Sequence, residues 1–96
     1  MLNEAKIEQM MSVYNNTIKC TKEQYKYIIT QTIKELYRGQ KNVSIHDLFY
    51  RESCTWVQEL QDLSYELEAA KGADNVIYVC GLIDRQIEKI AYLTAI

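Results

Sequence analysis

The chain has 96 residues, 48% of them hydrophobic and 25% charged, with a net charge of −2; this composition fits one globular domain and excludes a disordered or low-complexity chain. No apolar run approaches the roughly 18 to 20 residues that a membrane span needs, and residues 1–8 lack the basic-then-apolar order of a signal peptide, so a cytoplasmic protein with no membrane partner is expected. Cys20, Cys54 and Cys80 are odd in number and not closely paired, which fits reduced thiols better than a disulfide framework.

There is no proline and there are three glycines, so element boundaries rest on caps and on loss of periodicity. Ile7, Met10, Met11, Tyr14 and Ile18 form a helical stripe from about Asn3 to Lys19, with a break expected near Asn15, Asn16 and Thr17, which are weaker helix formers. Thr21 followed by Gln24 has capping-box spacing. The stripe Tyr25, Ile28, Ile29, Thr32, Ile33 and Leu36 then predicts a second helix closing at Gly39. Ser44 with Asp47 caps a short helix carrying Ile45, Leu48 and Phe49 and ending near Ser53.

Thr55 with Gln58 repeats the capping box and opens a long helix to Lys71, stopping at Gly72. Its seam, Trp56, Leu60, Leu63, Leu67 and Ala70, runs at spacings of four, three, four and three. Asp74 caps the last helix, whose seam is Val76, Cys80, Ile83, Ile87, Ile90 and Thr94. Its Val- and Ile-rich start would suit a strand, but the helical phase continues and no second strand is present to pair with it. The expectation is an all-α single domain over 1–96: a small antiparallel helical bundle of four main helices plus one short helix. At this size only about 60–65% of the unfolded surface is buried, which favours self-association, with a dimer the simplest form.

Charge is uneven. Between Lys19 and Lys41 six basic residues face Glu23 and Glu35; between Asn42 and Gly72 six acids face Arg51 and Lys71. Lys26, Tyr27, Lys34, Tyr37, Arg38 and Lys41 share one side of the second predicted helix and form a candidate electrostatic patch. Tyrosines among cations suit nucleic acid, but the negative net charge and pI near 5.3 argue against that partner.

Glu59, Asp62 and Glu66 share one helix face, and Asp84 and Glu88 another. Such sets hold magnesium or manganese in some helical hydrolases, yet Arg85 and Lys89 lie among them and the spacing is not specific. His46 is the only histidine, and there is no CxxC motif or glycine-rich phosphate loop, so neither a catalytic centre nor a cofactor is expected. What remains is apolar surface. Ile77, Tyr78, Leu82 and Leu93 widen the arc of the last helix, the chain end from Ala91 is equally apolar, and Phe49, Tyr50 and Trp56 cluster before the third long helix.

These features predict a small non-enzymatic regulator or inhibitor that binds another protein. The type is common among accessory proteins of phages and mobile elements that block host complexes. The alternatives are a homo-oligomeric binder of small molecules or nucleotides and, more remotely, a carboxylate and metal-dependent hydrolase.

Overall fold

The computed structural model describes residues 4–94 as three helices: α1 (Glu4–Gln40), α2 (Leu48–Ala69) and α3 (Ala73–Thr94). Asn3, the expected start of the first helix, and residues 95–96 of the apolar chain end lie outside the described residues. The all-α class stands, but the four main helices plus one short helix reduce to three, because two expected breaks are continuous helix.

The first absent break is at residues 15–21. Met11, Tyr14, Ile18, the stem of Lys22, Tyr25 and Ile29 fall within about 80° of one another at 100° per residue, so the inward face never loses phase. The threonines that suggested a cap are accommodated inside the helix: Thr17 Oγ1 donates to Val13 O and Thr21 Oγ1 to Thr17 O, each at 2.9 Å. Packing along this face outweighs the few tenths of a kcal/mol that each asparagine or threonine costs in propensity.

The second absent break is at Thr55. The N-cap of α2 is Asp47, whose carboxylate accepts the Phe49 N–H at 2.8 Å, and the helix passes through Thr55 and Gln58 without interruption. The expected short helix is therefore the first turns of α2. At its other end Ala70 N–H donates to Leu67 O, and Gly72 takes φ +83°, a conformation that glycine adopts without cost, to turn the chain into α3. Asp74 lies in the first turn of α3, where its charge suits the positive helix end.

The helices run up, down and up. Gln40 Nε2 donates to Ser53 Oγ at one end, and Lys22 Nζ donates to Ala70 O at the other, so α1 and α2 are antiparallel. α3 returns alongside α2, with Gln86 reaching Glu59, and lies parallel to α1, where Tyr14 and Tyr25 meet Ala73 and Asp84. Ile29 and Leu36 of α1, Trp56, Val57, Leu60 and Leu67 of α2, and Val76, Val79, Cys80, Ile83 and Ile90 of α3 form one continuous core.

At 37 residues α1 is about 55 Å long, against about 33 Å for each 22-residue partner. Tyr14 is level with the first residue of α3, so residues 4–13 project beyond the hairpin and the molecule is 65 Å long but only 21 Å and 18 Å across.

Candidate functional site

The sequence-predicted interface residues do not form one surface. Ile77 and Tyr78 are 68% and 67% exposed near the start of α3, while Leu93 lies about 24 Å further along the same helix. Leu82 is half-buried between them. The wide apolar arc of α3 is explained chiefly by its place against both neighbours: Val76, Val79, Cys80, Ile83 and Ile90 are all buried.

Phe49 and Trp56 do come together. The Asp47 cap sets the register of α2, and residues seven apart return to the same side, which puts the rings edge to face with centroids 6.1 Å apart and planes at 73°. Trp56 is buried in the core and Phe49 is half-buried above it. Tyr50 is also half-buried, and its carbonyl accepts a hydrogen bond from the buried Ser53 hydroxyl.

Beside this pair lies an open cleft of about 400 Å³ walled by Leu48, Phe49, Glu52, Trp56 and Leu93. Leu48 and Leu93 stand on its rim, 67% and 43% exposed. From the sequence, Leu48 belongs to the short helix's apolar side but not to the predicted interface, and Glu52 is not assigned to it, although Leu48, Glu52 and Trp56 follow at intervals of four and so line one helix face. Leu93 arrives from the end of α3, which only the three-dimensional fold brings near.

The predicted electrostatic patch is divided by local pairing. Lys26 forms an ion pair with Glu68 of α2, and Arg38 donates to Glu35 at 2.8 Å within α1. Lys34, Tyr37 and Lys41 stay exposed, as does Tyr27. The acidic residues also turn to different partners: Glu59 accepts from Gln86, Asp62 from Gln58, and Asp84 from the Tyr25 hydroxyl at 3.1 Å. Among the described residues no three histidine, cysteine or acidic side chains group as a metal site. His46 is exposed in the turn before α2, its N–H bonded to Ser44 Oγ.

Burial pushes the Tyr25 hydroxyl above its ordinary range, and the hydrogen bond to Asp84 and the charge of that carboxylate raise it further. A group whose pKa is raised by folding stabilises the fold below its unfolded pKa, here about 10, and loses that contribution as pH climbs through the folded value. Tyr25→Phe is therefore expected to cost about 0.5–1 kcal/mol at neutral pH, one partly exposed hydrogen bond. The gap between the two proteins in urea melts should close above pH 10. A gap that persists there would mean that the protonated Tyr25 hydroxyl bonded to Asp84 is not its source.

The three cysteines are free, Cys80 buried and Cys20 and Cys54 exposed. The Cys80 thiol is raised first by burial and then by the Asp84 charge, which keeps it protonated. The predicted breaks before Thr21 and Thr55 would put Cys20 and Cys54 at helix boundaries, but Cys20 stands in mid-helix on α1 and Cys54 in the second turn of α2. No described helix is long and apolar enough to cross a membrane. Against protein-family models, curated proteins and solved structures, the chain matches none.

Proposed function

We propose that this chain acts without catalysis, as a regulator or inhibitor that binds another protein through the cleft between the start of α2 and the end of α3. The observation that carries the reading is the exposed pair Leu48 and Leu93 flanking an aromatic floor of Phe49 and Trp56. A preformed apolar recess with outward-pointing rim residues suits an aliphatic or aromatic anchor from a partner, and such anchors dominate interface energies. Glu52 on the wall adds a polar contact at the edge, where interfaces are wet and charged groups are tolerated.

Leu48→Asp and Leu93→Asp change side chains that are already in solvent, so helicity and melting temperature should stay near the parent values. Each should abolish stoichiometric recovery of the partner that the parent protein retains from a native lysate. Undiminished recovery of the same partner by both variants would sink the reading.

A small molecule is the second reading, because about 400 Å³ falls within the roughly 300–1,000 Å³ typical of ligand pockets. In that case a compound rather than a protein should raise the melting temperature, and Leu93→Asp should remove the shift.

A further inference from the structure

The continuity of α1 creates a second seam that a broken helix would not have. Met10, Val13, Thr17, Cys20, Gln24 and Tyr27 recur at intervals of three, four, three, four and three, and all six are exposed. This line faces away from the bundle. Between Gln9 and Gln31 the charged residues of α1 are Lys19, Lys22, Glu23 and Lys26, and they fall within one arc of about 100° on the side toward α2, where Lys22 and Lys26 reach Ala70 and Glu68. The flank toward α3 is marked by Tyr25 and Asp84.

A helix face pointing into solvent ordinarily carries charge. Here it is uncharged for more than twenty residues and holds Val13 at 67% exposure, Tyr27 at 66% and Met10 at 59%.

We infer that this face of α1 is a two-fold seam on which a second copy of the chain packs its own α1, making the protein a homodimer through Met10, Val13, Thr17, Cys20, Gln24 and Tyr27. Three observations select this occupant. Heptad spacing is the pattern along which two long helices supercoil, and the exposed stretch of α1 in a second copy supplies a helix of matching length and spacing. A two-fold interface sets the same patch against itself, so an excess of one sign of charge in it repels its copy, and this stripe holds no charge.

The size is also sufficient. From Met10 to Tyr27 the seam is about 26 Å long, and a helix pair in contact over that length buries on the order of 1,000 Å² in total, the lower bound for a specific interface. The projecting turn at residues 10–13, where Met10 and Val13 are 59% and 67% exposed, would gain a neighbour. Thr17 and Gln24 on the seam supply polar groups that fix register, as single polar residues do in coiled coils. This inference is independent of the cleft, which lies at the opposite end of the bundle.

Cys20 lies within two residues of the seam's midpoint, so in either direction of two-fold pairing the two Cys20 side chains face each other or lie one layer apart. Sedimentation equilibrium of the full chain should give twice the 11.3 kDa chain mass. Val13→Lys and Gln24→Lys place ammonium groups on the seam without touching the core; each should give the single-chain mass with an unchanged circular dichroism spectrum. Glu66→Lys on α2 should leave the dimer intact. In a Cys54→Ser background, mild oxidation with copper phenanthroline should yield a covalent dimer through Cys20. A parent protein that sediments as a monomer would overturn the inference, and so would a dimer that survives both lysine substitutions or a dimer in which Cys20 stays unlinked.

Discussion

Leu60→Ala is expected to lower the unfolding free energy by about 2–5 kcal/mol, the range for removing a fully enclosed leucine and leaving part of its volume empty. Leu60 is 0% exposed on α2, which packs against both other helices as each of the three does, and the core has few layers across which a void could be absorbed. A chain of this size holds roughly 5–14 kcal/mol in total, so the variant should melt far below the parent in urea with a similar slope. Leu93→Ala, at a rim position, is the control and should cost well under 1 kcal/mol. Equal effects at the two positions would mean that the bundle is loosely packed.

The periodicity that identifies Leu60 as core was legible because seams on α2 and α3 keep one phase from end to end. Leu60, Leu67 and Ile83, the fully buried apolar residues, all belong to the two seams read from the sequence. The helix count was not legible for a specific reason. Thr21/Gln24 and Thr55/Gln58 have the residue types and spacing of a capping box, but a cap also requires the backbone to leave the helix at the threonine. Thr21 donates to the carbonyl four residues earlier instead, which a sequence motif cannot distinguish. Misplacing the break at residues 15–17 also hid the seam from Met10 to Tyr27, since its two halves were assigned to different helices.

The candidate site was legible only in part, and the division is physical. Phe49 and Trp56 are seven residues apart on one helix, so their contact follows from helical geometry once Asp47 sets the start. Leu93 joins them from a helix whose end position depends on the turn at Gly72 and on the lengths of both helices. Lys26 was grouped with surface cations because helix phase alone does not reveal the reach to Glu68 on α2. Residues within one element were thus predictable as neighbours. Pairings between elements, which decide whether a patch is open or neutralised, required the fold.

The two helical glycines, Gly39 and Gly81, should respond to alanine in opposite directions. In a helix, alanine is favoured over glycine by about 1 kcal/mol because it restricts the unfolded chain and shields the backbone. At Gly81 an added Cβ meets nothing within 4 Å, so Gly81→Ala should stabilise the protein by about 0.5–1 kcal/mol. At Gly39 the same Cβ would lie 2.8 Å and 2.9 Å from two carbons of the Phe49 ring. That ring is backed edge-on by Trp56, itself 4% exposed, so it cannot retreat inward; moving outward forfeits its burial. The overpacking cost of about 1–3 kcal/mol exceeds the helical gain, and Gly39→Ala should be destabilising. Chemical denaturation of both variants reads the difference. If Gly39→Ala proved as stabilising as Gly81→Ala, Phe49 would have to be free to swing away, and the floor of the proposed binding cleft would not be preformed.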